Sequence, residues 1–258
     1  QRHKRGRRIR LKTLVRALFP KRILRSPSNQ ADIGYLFFNV FVFGVVFGWA
    51  VLSYEFISNG IISGLVAIVG PVTPSRLSPY VTRSIITVML FLAYELGYWF
   101  NHWLSHKVPV LWEFHKVHHS IVDMDWIGDW RFHWAEVIVY QSILYIPAAV
   151  LGFRGDVMFW VGIVNTFAGH FAHANLRFQV GPLKYLLNSP EMHIWHHNHP
   201  DSGPINKNFG ITLSLWDWIF GTAHVPDHDP ARLGFTGIEA YPTHLPGQWL
   251  APFKALFK

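Results

Sequence analysis

The chain has 258 residues, of which 50 % are apolar, only 15 % are charged and none is cysteine. A soluble domain carries about a quarter charged residues, so the deficit argues for lipid as part of the solvent. Without cysteine there are no disulfides, thiolate-ligated haems or iron–sulfur clusters, and any metal falls to nitrogen or oxygen ligands.

The net charge of +8 comes from one block: residues 2–25 hold 11 Lys/Arg and no acid, while the rest has 12 against 15 Asp/Glu. Leu14, Val15, Leu18 and Phe19 recur at helical spacing there, which predicts a basic amphipathic helix over Arg8–Arg25 lying on anionic lipid. No aromatic or Gly-rich recognition pattern accompanies the charge, so no nucleic-acid partner is expected.

Charge-free runs then set the elements. Ile33–Tyr54 is long enough to span a bilayer. Phe56–Ser75 is also uncharged, but Gly60, Gly64, Gly70, Pro71 and Pro74 interrupt it, which predicts a re-entrant or interfacial piece. Ser84–Leu104 carries one acid, Glu95, one imidazole, His102, and no Lys or Arg. Val137–Phe153 and Val157–Leu176 flank a turn at Gly155 and Asp156 and read as a helical hairpin. From Arg177 onward the chain is mixed and loop-rich. The expected fold is an all-α integral membrane protein with about four transmembrane helices, the interrupted segment, and a cytosolic helical and loop cap housing a dimetal site. Its parts are a basic segment (1–30), a transmembrane region (31–176) and the cap (177–258). With Phe56–Ser75 not crossing, 20 Lys/Arg share the side of the histidines and only Arg76, Arg83 and Arg154 face away. The positive-inside rule then puts the metal site and both termini in the cytoplasm, at the inner membrane if the source is bacterial.

Histidine carries the chemistry. The pattern His-x-x-His-His occurs twice, as His115/His118/His119 and His193/His196/His197, where chance predicts about 0.06 copies for this His content. His102 and His106 stand at i,i+4 near the end of a predicted span, and His170 and His173 at i,i+3 near the end of another. Such spacings stack rings on one helix face. Ten imidazoles from four places exceed the about four to six ligands of one ion, so two ions, or one crowded site, are expected. An all-imidazole set suits Fe, Zn, Cu or Ni rather than Mg or Ca. His133 reads as a supporting or plain structural residue. Glu95 lies two turns before His102 on the same face. An acid inside a span is a functional candidate by default, here a catalytic one that would accept the His102 ring N–H. Two rivals share parts of the pattern. A metal transporter or store needs polar residues along its spans, where these offer Asn39, Asn165 and few others. A bis-His haem protein needs single histidines facing each other, not triplets.

The order His-x-x-x-His, His-x-x-His-His, His, His-x-x-His-His resembles the fatty acid hydroxylase/sterol desaturase superfamily of membrane di-iron oxygenases. The stretches Glu95–His106, Phe114–Ser120, Arg131–Glu136, His173-Ala174-Asn175, Ser189–His197 and Phe209–Thr222 carry the likeness. Trp103 and Trp134 depart from it, standing where Arg and Pro are frequent, and Glu95 stands where Asp is. The resemblance implies an oxidoreductase that uses two Fe ions (with Zn able to replace them in purified protein) and O₂ to act on a lipid C–H bond. Hydroxylation is the first expectation, with desaturation or oxidative cleavage as alternatives. It implies that Arg131, His133, Glu136 and Asn175 stand behind the ligands. It also implies a lipid substrate arriving from the bilayer and an external electron donor of ferredoxin or cytochrome type, since no residues remain for a fused redox domain.

Overall fold

The computed structural model describes residues 12, 15, 19, 25–43, 56, 59, 60, 62–70, 78–140, 144, 155–176 and 180–257. Helix α1 (Pro27–Phe37) starts where the Ser26 hydroxyl accepts the Asn29 N–H, with Pro27 supplying a preset φ, and runs on as a π-helical turn over Phe38–Phe43. Helix α2 (Pro79–Lys107) repeats that start with Ser78 and Pro79. It ends at Val108 because the residue before a proline is pushed to extended backbone, here φ −93 and ψ 116. The same proline opens α3 (Pro109–His119), so α2 and α3 form a tight helical corner. A 3₁₀ turn (Trp126–Trp130) follows, its first N–H groups taken by the Asp125 carboxylate. Then come α4 (Gly155–His173), the short α5 (Pro190–His196) and α6 (Leu215–Ile219), and α7 (Leu245–Leu256). No strand occurs among the described residues, apart from the isolated bridges Leu187–Leu213 and Asn198–Leu233. The molecule is helical, as expected.

Among the described residues one helix, Tyr80–Lys107, is long and apolar enough to cross a membrane. Its outer half leaves Val81, Ile85, Ile86, Val88 and Met89 exposed, and α4 exposes Phe159, Trp160, Val164 and Phe167. Apolar surface of that extent marks a partner or a lipid phase. Both helices become buried toward the histidine end. Most of the expected basic helix Arg8–Arg25, the second half of Ile33–Tyr54 and most of Val137–Phe153 lie outside the described residues. Within the interrupted segment residues 62–69 are helical straight through Gly64, and the helix stops at Gly70, whose φ is +86. Gly155 and Asp156, read as a turn, instead open α4.

The core lies where the helices end. Val117, Ile121, Met192, Trp195, Phe209 and Tyr35 are buried there together with the histidines. Arg131 is fully buried beside them. It donates from Nε to Asp32, from Nη1 to Ser120 Oγ at 3.1 Å and from Nη2 to Ser28 O and Oγ at 2.6 and 2.8 Å. Gln248 on α7 donates to the same Ser120 hydroxyl at 3.1 Å. Ser120 directly follows His119, so α1 and α7 are both tied to the end of the helix that presents the first triplet.

Candidate metal centre

Nine of the ten expected histidines converge as two cages. One holds His102, His106, His115, His119 and His196, the other His118, His173, His193 and His197, and within each cage the ligand nitrogens lie within 4.8 Å of one another. Apart from His106, which is half-buried, all are buried. The i, i+3, i+4 triplets divide as their spacing dictates. His115 and His119 face one cage while His118, turned to the side, enters the other; likewise His196 and His193/His197.

The tautomers follow from the backs of the rings. A backbone carbonyl only accepts, so a ring nitrogen facing one carries the proton. His102 Nδ1 faces Phe209 O at 2.8 Å, His196 Nδ1 faces Lys207 O at 2.8 Å, His173 Nδ1 faces Gly169 O at 2.8 Å and His118 Nδ1 faces Arg131 O at 3.3 Å. His106 Nδ1 faces the Asn206 amide oxygen at 3.1 Å, and His115 Nδ1 the Glu136 carboxylate at 2.5 Å. Their Nε2 atoms therefore present lone pairs inward. There they meet one another: His118 and His173 at 3.2 Å, His102 and His115 at 3.1 Å, His119 with His196 at 3.0 Å and with His106 at 3.1 Å. Lone pairs held this close repel unless a cation lies between them. A proton is a poor choice, because burial, and then the neighbouring imidazoles, push His115, His118, His119, His193, His196 and His197 well below the usual 6.5. A metal ion fits: with N ligands at about 2.0–2.1 Å, opposite nitrogens stand about 4 Å apart, close to the observed spread.

Several expected residues lie elsewhere. His170 does not join a cage. Its Nδ1 pairs with Asp129 at 2.8 Å and its Nε2 accepts the Trp130 indole N–H at 2.8 Å, so it is occupied at both ends. Glu95 is buried but does not bond His102, whose Nδ1 is taken by the nearer Phe209 carbonyl. Glu95 Oε2 instead accepts the backbone N–H groups of Thr212 and Leu213 at 3.1 and 2.8 Å, anchoring the loop above the site. Arg131 reaches His118 through its carbonyl rather than its charge. His133 accepts the Ala135 N–H and faces Trp249 O at 3.0 Å, holding the start of the 134–140 helix to α7. Asn175 is exposed just past α4.

Other participants carry no motif. Asp129 lies between His170 and His173, 3.3 Å from His173 Nδ1. Burial works against its charge, but the hydrogen bonds from the two histidines hold its carboxyl below the ordinary value. The carboxylate packs directly on Gly169, where a Cβ would come within 2.4 Å of it, so only glycine fits. Asp217 collects the Phe209 and Gly210 N–H groups at 2.8 and 2.9 Å and the Trp99 indole at 3.1 Å, which fixes the carbonyl behind His102.

The fatty acid hydroxylase family profile matches residues 87–222, more than half of the chain and all nine caged histidines. The chain belongs to the fatty acid hydroxylase family. Its relatives lie across the wider superfamily that includes the sterol desaturases. It is 34 % identical over 144 residues to the ornithine lipid hydroxylase OlsE of Rhizobium tropici, covering 55 % of this chain and 43 % of that protein. It is 31 % identical over 141 residues to the alkylglycerol monooxygenase of Homo sapiens, 51 % of this chain and 29 % of that one. It is 26 % identical over 159 residues to a very-long-chain aldehyde decarbonylase of Oryza sativa subsp. japonica, 57 % and 25 %. The matches thus span less than half the length of these relatives. No solved structure matches the chain. The nine caged histidines thus fall inside the region matched by the family, and these relatives are named as a lipid hydroxylase, a monooxygenase and an aldehyde decarbonylase.

Proposed function

We propose that the chain is a membrane di-iron monooxygenase that uses O₂ to hydroxylate an alkyl carbon of a lipid, with one ion in each histidine cage. The observation that carries this is the pair of inward-facing imidazole cages, with carbonyls fixing the outward nitrogens. When bound, the ions would activate O₂ toward an unactivated C–H bond. The chain's own residues do the rest. Backbone carbonyls behind His102, His118, His173 and His196, the Asn206 amide behind His106 and the Glu136 carboxylate behind His115 hold those imidazoles in the ligating tautomer. Burial of the cages excludes bulk water from the reacting oxygen. An apolar cavity of about 390 Å³, lined by Leu96, Trp99, Phe100, Trp103 and Phe220, opens beside α2. Its Trp99 wall is one aromatic layer from the site, since the Trp99 ring lies 6.2 Å from Phe209 and Phe209 lies 5.5 Å from His102. That is a surface for an alkyl chain arriving from lipid.

Hydroxylation is favoured over desaturation or cleavage because the relatives at 31–34 % identity are named hydroxylase and monooxygenase, while the decarbonylase is more distant. In this reading four helices cross the membrane, and the cages and both termini face the cytoplasm. Electrons come from a separate ferredoxin- or cytochrome-type protein docking on the basic face. The test is lipid analysis under ¹⁸O₂ of cells carrying the wild-type chain, cells lacking it, and cells carrying His118→Ala. A lipid gaining one ¹⁸O atom only with the wild type supports the proposal. Identical lipids in all three refute it.

A further inference from the structure

Three imidazoles of the five-histidine cage lean on one short stretch of chain. Asn206 Oδ1 accepts from His106, Lys207 O from His196 and Phe209 O from His102. Within this stretch Asn206 and Asn208 both adopt left-handed backbone, with φ of 60 and 57. Asparagine enters that region more readily than most residues. The stretch is held in place from several directions. Asn208 Nδ2 donates to Met192 O and His224 O at 2.7 Å each, and its Oδ1 accepts the His224 N–H at 2.8 Å. Asp217 and Glu95 grip the following residues through the Phe209, Gly210, Thr212 and Leu213 N–H groups. In the four-histidine cage the backs of the rings are held from elsewhere, His118 by Arg131 O and His173 by Gly169 O and Asp129, and only the Asn208 bond to Met192 O, beside His193, reaches it from this stretch.

We propose that Asn206–Phe209 is a positioning loop for the five-histidine cage, with Asn206 setting the affinity of that one metal position independently of the other. The proposal rests on the two-ion reading above. Asn206 makes two separable contributions, a left-handed backbone and an acceptor for His106. Glycine keeps the first and removes the second. Aspartate keeps the acceptor and also tolerates left-handed backbone.

The experiment titrates the full-length apo-protein in detergent with Zn²⁺, reading the number and affinity of bound ions for wild type, Asn206→Gly, Asn206→Asp and Asn208→Gly. Wild type takes two ions. Asn206→Gly weakens one of them by about 10–100-fold and leaves the other unchanged, the size expected for losing a partner behind a metal-bound histidine. Asn206→Asp restores it to within a few-fold. Asn208→Gly, which keeps the backbone but loses the pins to Met192 and His224, weakens the five-histidine ion more than the other and provides the test if Asn206→Gly folds poorly. Two ions at wild-type affinity in both glycine variants, or equal weakening of both ions, overturns the proposal while the two-ion reading stands. Fewer than two ions in the wild type removes that reading and the proposal with it.

Discussion

Replacing Arg131 by methionine removes the cation from a buried pair. Arg131 and Asp32 each have side chains only 1 % exposed, and the guanidinium also serves Ser28 and Ser120. The methionine fills much of the space but leaves the Asp32 carboxylate buried with no countercharge, which costs about 3–5 kcal/mol. For a chain of this size that is a fall of about 6–20 °C in melting temperature, at about 2–4 °C per kcal/mol. Asp32→Asn strands the guanidinium in the same way. The double variant Arg131→Met/Asp32→Asn buries no lone charge, so its loss is smaller than the sum of the singles by about 0.5–3 kcal/mol. The assay is thermal unfolding of the apo-protein in one detergent, followed by helical circular dichroism. Strict additivity, or an Arg131→Met melting point within about 2 °C of wild type, would refute the claim that this pair ties α1 to the site.

Three further outcomes follow from the same geometry. The buried histidines of α3 and α5 have depressed proton affinities, so the unfolded chain binds protons that the folded apo-chain refuses. Stability is fully present above about 6.5, the ordinary histidine value, and is lost as pH falls toward the lowered folded values. The loss reaches at most about 1.4 kcal/mol per histidine per pH unit, and a melting temperature flat from pH 7 to pH 5 contradicts it. His170→Ala keeps both metal ions, whereas His173→Ala loses affinity at the four-histidine cage; elemental analysis showing an ion lost with His170 would put that residue back among the ligands. Glu95→Ala leaves the Thr212 and Leu213 N–H groups without their acceptor, at about 1–3 kcal/mol each, and Glu95→Gln loses less. If Glu95→Gln abolished turnover with an unchanged melting point, Glu95 would be catalytic rather than an anchor.

Much of the site was legible because imidazole spacing is a helical signal. The i,i+4 pair of α2 and the two triplets are read straight onto helix faces, and their convergence follows once the helix ends share one side. His170 misled because i,i+3 spacing places it near the His173 face, while nothing in sequence announces that Asp129 and Trp130 pack there first and capture it. Glu95 misled in the same manner. Two turns of helix do align it with His102, but the loop at 209–213 engages both instead, giving two N–H groups to Glu95 and one carbonyl to His102. The acceptors behind the rings were illegible because most are backbone carbonyls, which carry no residue signature. The one available clue was Asn206-Lys207-Asn208, two asparagines bracketing a lysine in a loop where left-handed backbone is needed. In the fold, the helical class and the long α2 were evident from charge-free runs. Gly64 shows the limit of that reading, since a single glycine costs a helix only about 1 kcal/mol and did not stop this one.

The most direct measurement is the iron content per chain of anaerobically loaded protein, for wild type, His119→Ala and His193→Ala. The two-cage account predicts two ions in the wild type and one in each variant, a different one in each case. A wild type that binds one ion or none, variants that lose both together, or a haem Soret band in place of histidine-bound iron would contradict it.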